Sequence, residues 1–167
     1  PIARVLVMPS ILAVNNEVPA KSVAELFVLA KAQPGKLSFA SPGVGTPQHI
    51  AGELLKSLAG VDIVHVPYRG GALAAADVMS GQVSMMIDVM PNAYPLTKGG
   101  RVRGIAVTTA RRAATAPEFP TFAESGLPGF EVGLDLPGAA QPWLAWLADH
   151  GHHLRDAEHA LLTEPNR

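Results

Sequence analysis

The strongest constraint on this chain is a regular alternation of short apolar runs with capped helical segments. Ser22 with Glu25 three residues later forms a capping box, and Val23, Leu26, Phe27 and Ala30 follow at helical spacing until Pro34-Gly35 stops the run. Residues 36–40 read as a short strand, 41–45 as a tight loop, and 46–59 as a second helix closed by Gly60. A strand over 62–66, the turn Pro67-Tyr68-Arg69-Gly70-Gly71 and a helix over 73–79 stopped by Gly81 come next. A strand over 83–87 then runs into Asp88, followed by a short helix over 92–97 and a buried strand over 102–108. Strands and helices in this order build βαβ units, so the expected fold is an α/β domain with a mostly parallel sheet flanked by helices. Residues 4–15 read as an extended apolar segment broken at Pro9, in the manner of an interdomain crossover. Only 16% of the residues are charged and 48% are hydrophobic, which suits a sheet buried on both faces.

Charge and composition remove several classes of function. With 13 basic and 14 acidic side chains and no basic stripe, nucleic acid is a poor partner. The apolar runs are too short to cross a bilayer, no signal-peptide pattern opens the sequence, and no cysteine is present for disulfide or thiol chemistry. The character changes near residue 134. The expected organisation is therefore an α/β domain over residues 1–133 and a divergent, irregular or helical tail over 134–167, with helices over 141–150 and 154–162. That tail carries both tryptophans and four of the six histidines. His150, His152, His153 and His159, with Glu158, have no cysteine to close a zinc site and read as solvent-facing residues rather than a metal centre.

The sharpest local feature is Ser41-Pro42-Gly43-Val44-Gly45-Thr46-Pro47-Gln48-His49, between a strand and a helix. Its glycines permit close approach of backbone to a ligand, Thr46 fits the N-cap and Pro47 the first helical position. Amides and the positive end of the helix dipole then face the C-terminal edge of the sheet, where small carboxylates and phosphates bind. The loop lacks the Gly-Lys-Ser/Thr of a Walker loop and the third glycine of a dinucleotide fingerprint. A capped helix after a tight turn accounts for the same residues, and the local sequence leaves both readings open. Tyr68, Arg69 and Gly70 reach the same edge, where a plain turn with a solvent-facing Arg69 is the simpler reading. Asp88 there either accepts a ligand hydroxyl, holds the facing loops, or caps the next helix. Ser41, His49 and Asp88 are the residue types of a hydrolytic triad, but Gly-x-Ser-x-Gly is absent and no catalytic residue is assigned.

Three ordered phrases resemble a known family. They are residues 24–49, with Gln33-Pro34-Gly35-Lys36-Leu37 and Ser41-Pro42-Gly43-Val44-Gly45-Thr46; then His65-Val66-Pro67-Tyr68-Arg69-Gly70-Gly71; then Gly81-Gln82-Val83 through Asp88, Ala106-Val107-Thr108, Arg111-Arg112 and Pro120-Thr121-Phe122-Ala123-Glu124-Ser125-Gly126. From about residue 3 to Val132 the chain is similar to the substrate-binding proteins of tripartite tricarboxylate transporters, the Bug family. The resemblance implies a type II periplasmic-binding-protein clamshell that holds a small carboxylate between two lobes, without cofactor or catalysed reaction. It further implies a periplasmic location and membrane transporter subunits as partners. Carried onto this sequence, the ligand-binding residues are Ser41, Gly43, Val44, Gly45, Thr46, His49, Tyr68, Gly70 and Asp88.

Two departures from the family pattern matter. The resemblance is to the second lobe, so the first lobe with its glycine-rich loop is expected to be missing, and the sequence after Gly133 leaves the pattern. A truncation or a change of reading frame is the expected origin of both departures. The alternative is a truncated lobe that no longer binds ligand and self-associates as a homodimer.

Overall fold

The computed structural model describes residues 9–132. Five strands and four helices follow in the order β1 (Ser10–Val14), α1 (Val23–Ala32), β2 (Ser38–Ser41), α2 (Pro47–Ala59), β3 (Val64–Pro67), α3 (Gly71–Ser80), β4 (Met85–Val89), α4 (Met90–Lys98) and β5 (Arg103–Val107). The expected C-terminal helices over 141–150 and 154–162 lie outside the described residues.

Local chemistry sets most of the boundaries. The Ser22 side chain accepts the Glu25 amide at 3.2 Å, while Glu25 Oε2 accepts the Lys21 amide at 2.7 Å, one residue outside the usual reciprocal box. Gly60 and Gly81 end α2 and α3 in the left-handed conformation that glycine adopts without steric cost. Helix α4 starts at Met90, two residues before the expected Asn92, and contains Pro95. Pro95 has no amide to donate to the Pro91 carbonyl one turn back, so α4 forgoes that bond.

The strand order is β3-β2-β4-β1-β5. β2 runs parallel to β3 and β4, whereas β1 lies antiparallel between β4 and β5. Four strands therefore share one direction, as expected, and the reversed β1 makes the sheet mixed. Within the extended segment expected over residues 4–15, Ser10–Val14 forms an interior strand of this sheet. Its five consecutive residues are buried, because both faces of an interior strand are covered. Side chains alternate accordingly. Leu12, Val14, Phe39, Met85 and Ile87 pack with Val23, Leu26 and Ala30 of α1 and with Ala51, Leu55 and Ala59 of α2. On the other face Ala13, Ala40 and Met86 meet Ala74 and Val78 of α3, and Ile11 and Val107 meet Met90 and Ala93 of α4. The result is a sheet covered by two helices on each face.

After β5 the chain returns along the sheet. Thr121 bridges Val107, Phe122 packs on Phe130 with ring centroids 4.1 Å apart, and Leu127 joins the α1–α2 core. Thr121 and Glu124 form a reciprocal pair: the Thr121 amide donates to Glu124 Oε2 at 2.8 Å, and the Glu124 amide donates to Thr121 Oγ1 at 3.1 Å. Arg112 Nε donates to the same carboxylate at 2.9 Å, which ties together two segments of the third phrase above.

Strand order also locates the place where a ligand can sit. From β2 the chain moves outward to β3, then returns past β2 to β4. The carboxyl ends of β2 and β4 therefore flank a topological switch point, and open α/β sheets receive ligands outside such a point.

Candidate ligand-binding site

Ser41 ends β2 and is fully buried. Its hydroxyl accepts the Gly43 amide at 3.3 Å, lies 3.1 Å from the Gly43 carbonyl, and meets His65 Nε2 at 2.7 Å. Gly45 holds φ +80°, which disfavours a side chain at that position. Thr46 is the N-cap of α2: its hydroxyl donates to the Gly43 carbonyl at 2.8 Å and accepts the His49 amide at 3.4 Å, with Pro47 at the first helical position. His49 Nδ1 accepts the Gly45 amide at 3.1 Å. Amides of Gly43, Gly45 and Thr46 are thus satisfied inside the loop, the last by the Gly43 carbonyl at 3.4 Å. Among the described residues the Val44 amide at the loop tip takes no partner, and Val44 is 67% exposed.

The β3–α3 turn joins this loop through backbone. The Tyr68 amide donates to the Ser41 carbonyl at 2.9 Å and the Gly70 amide to the Pro42 carbonyl at 3.1 Å. The Tyr68 side chain points elsewhere, along α3, where its hydroxyl donates to Asp77 Oδ2 at 2.7 Å. Burial and that hydrogen bond to a carboxylate push the phenol up to about 12. Arg69 is exposed to solvent.

Asp88 is 4% exposed at the end of β4, and its Oδ1 accepts the Val89 amide at 2.8 Å. Its Oδ2 lies 3.7 Å from the position a Cβ on Gly71 would take, so the carboxylate faces the start of α3. Any side chain at Gly71 would also meet Pro42, at 4.0 Å. The structure therefore brings Ser41–Thr46, the backbone of residues 68–71 and Asp88 to one edge, and directs the Tyr68 hydroxyl away from it. Helices α2, α3 and α4 all begin at this edge, and neither α3 nor α4 has a side-chain hydrogen bond at its N-cap. Three positive dipole ends, with first-turn amides of α3 that take no partner among the described residues, make the edge receptive to an anion.

His65 is a site residue that the sequence reading passed over. Its ring stacks on Phe39 at 4.8 Å between centroids and on His49 at 4.1 Å. The local signal is slight, but position 65 pairs in register with Phe39 and so shares its face of the sheet. Burial chiefly, then the neighbouring His49 and Lys56, lower its pKa from 6.5 to about 4, against an opposing contribution from Glu53. The unfolded chain thus takes up this proton near pH 6.5 and the folded chain only near pH 4. Stability linked to His65 is complete above 6.5 and is lost as pH falls from 6.5 towards 4. Thermal melts from pH 7.5 to 4.5 should show the midpoint falling with acid, and His65→Gln should flatten that slope. An unchanged slope in the variant would exclude His65 as its source.

The serine and histidine types of a hydrolytic triad do meet, but as Ser41 with His65 rather than with His49. Ser41 has no exposure, and its hydroxyl is also shared with the Gly43 backbone. Among the described residues no cluster of three metal-ligating side chains occurs, and no helix is long and apolar enough to cross a membrane. The tail histidines lie outside the described residues.

The fold is that of a periplasmic-binding-protein-like α/β protein. The TctC model, described as the tripartite tricarboxylate transporter family receptor, matches residues 1–148, and the chain belongs to that family. That match runs past the change in composition at residue 134, and the family is one of receptors rather than of enzymes. A UPF0065 protein in the tcbD-tcbE intergenic region of Pseudomonas sp. strain P51 is 43% identical over 133 residues, covering 79% of this chain and 40% of that protein. The solved structure of Rpa4515 from R. palustris with adipate is 34% identical, with a TM-score of 0.74, covering 89% of this chain and 52% of that one. MatC from Rhodopseudomonas palustris with bound malate is 32% identical, with a TM-score of 0.73, covering 80% of this chain and 45% of that one. The chain spans about half the length of these relatives, or less.

Proposed function

We propose that residues 1–133 form a solute-binding lobe that captures a small carboxylate for a tripartite tricarboxylate-type transporter outside the cytoplasmic membrane. The observation that carries this reading is the convergence of three helix N-termini with the 41–46 loop at the β2–β4 switch point. The bound adipate and malate of two relatives support the ligand class. Ser41, Gly43, Val44, Gly45, Thr46, His49, Gly70 and Asp88 would line or shape the ligand edge. Tyr68 would serve it through its backbone. The partners would be the transporter's membrane subunits and the location periplasmic, by family role.

Thermal melts against a panel of small carboxylates at millimolar concentration test the reading. A ligand at a hundred times its Kd stabilises the native state by about 2.7 kcal/mol, so a selective rise in the melting point is expected. Thr46→Pro, which removes the cap, and Gly45→Val, which strains φ +80°, should abolish the rise. A well-folded chain that no carboxylate stabilises would sink the proposal.

One observation favours the alternative of self-association. β3 is an edge strand, and its Val64 is 47% exposed, which leaves a ladder open to a second copy. A monomer in light scattering across the micromolar range would remove that alternative.

A further inference from the structure

Three rings form a column that runs from the core to the candidate ligand loop. Phe39, 2% exposed, stacks on His65 with planes 25° apart, and His65 stacks on His49 with planes 27° apart. Each histidine ends on a loop amide. His49 Nδ1 accepts the Gly45 amide directly at 3.1 Å. His65 reaches the Gly43 amide through the Ser41 hydroxyl, 2.7 Å from Nε2 and 3.3 Å from the Gly43 nitrogen. The bond to Gly45 requires Nδ1 of His49 to carry no proton. A proton on His65 Nε2, donated to Ser41, frees the hydroxyl hydrogen for the Gly43 carbonyl at 3.1 Å, so all these groups are satisfied together. The charged groups around the pair are Glu53, 4.0 Å from His49 Nε2, and Lys56, which is itself paired with Glu53 at 2.9 Å.

We propose that His49 and His65 are positioning residues for residues 42–46, holding the Gly43 and Gly45 amides inside the loop so that Val44 N–H is the donor presented at its tip. The ligand part of this inference rests on the carboxylate reading above; the loop geometry does not. An imidazole suits the task because it combines a flat face for stacking with an in-plane acceptor, and the stack fixes where that acceptor lies. Burial and the neighbouring His49 keep the His65 ring uncharged at neutral pH, consistent with a close stack of two imidazoles.

Two substitutions separate the stack from the acceptor. His49→Phe keeps a ring on His65 and loses the acceptor, whereas His49→Asn places an oxygen near the former Nδ1 and loses the ring. Amide hydrogen exchange and ¹⁵N-resolved titration with malate and with adipate are measured on the chain and both variants, with melting points as a control for folding. The expected result is Gly45 exchange at least tenfold faster in His49→Phe, with affinity for the carboxylate that binds reduced about tenfold, and both restored largely in His49→Asn. The Val44 amide should show the largest ligand-induced shift of the loop. Equal Gly45 exchange in the parent and His49→Phe would overturn the positioning role, as would equal loss of affinity in the two variants. If neither carboxylate shifts Val44 in the parent while Gly45 still responds to His49→Phe, the presented-donor claim falls with the carboxylate reading and the loop geometry stands.

Discussion

Replacing Gly52 by alanine should lower stability by about 2 kcal/mol, although alanine is the better helix former by about 1 kcal/mol. Gly52 lies within α2 and is buried against the sheet. A Cβ there would sit 2.1 Å from Cε2, 2.4 Å from Cζ and 2.6 Å from Cδ2 of Phe39. Ordinary carbon contacts are ~3.5–4.0 Å, so the ring must move by more than an ångström. It cannot do so freely, being 2% exposed and stacked on His65. Urea denaturation should therefore give a lower midpoint with an unchanged slope, and the melting point should fall by about 4–8 °C for a chain of this size. Phe39→Leu in the same background should recover part of the loss, because the two sites share one volume and their effects are not additive. A variant as stable as the parent would show that the ring relaxes without cost. Displacing Phe39 also disturbs the column leading to His49, so the substitution is expected to speed Gly45 amide exchange without touching the loop.

Asn15→Asp should cost about 3 kcal/mol at neutral pH, and the cost should shrink in acid. Asn15 is 4% exposed, just past the end of β1. Its Nδ2 donates to the Val78 carbonyl at 2.7 Å and to the Met79 carbonyl at 3.4 Å, both in the last turn of α3, while Oδ1 accepts the Glu17 amide at 2.8 Å. Aspartate keeps the acceptor for Glu17 but turns a carboxylate oxygen towards two carbonyls at the negative end of a helix. Its folded pKa must then lie above the unfolded value of about 3.9. The folded variant binds its proton more tightly than the unfolded chain, so the penalty is complete above the folded pKa and diminishes as pH falls towards the unfolded one. Comparing parent and variant melts at pH 7.5 and 4.5 measures this. A difference that does not narrow on acidification would mean that the aspartate escapes to solvent.

Helix boundaries were legible because their causes are local. Ser22 with Glu25, Thr46 with Pro47, and the glycines at 60 and 81 act within a few residues, and each does so in the structure. The direction of β1 was not legible. Its pairing partners are Met85–Val89 and Arg103–Val107, and a run of five apolar or small residues reads the same in either direction. The 41–46 loop stood out through its glycines and N-cap, and the structure adds that most of its amides are bonded internally. His65 escaped notice because its role arises from cross-strand register with Phe39 and contact with a different helix, neither of which leaves a local pattern. Tyr68 was placed correctly in the turn, but its hydroxyl follows α3 to Asp77, nine residues on, where a turn motif gives no guidance.

The reversed interior strand also has a consequence in time. β1 is the earliest of these elements in the sequence, yet Ser10 pairs with Val89 and Ile11 with Val107, so its ladders join residues roughly eighty and a hundred positions apart. During synthesis β2, β3 and their intervening helix can pair locally, while the flank of β4 that receives β1 stays open. Closing such distant contacts is entropically costly before it is rewarded, which places this fold among slower-folding topologies. The last event of its assembly is expected to be insertion of the first strand, and until then the unpaired flanks of β4 and β5 are the surfaces most exposed to aggregation.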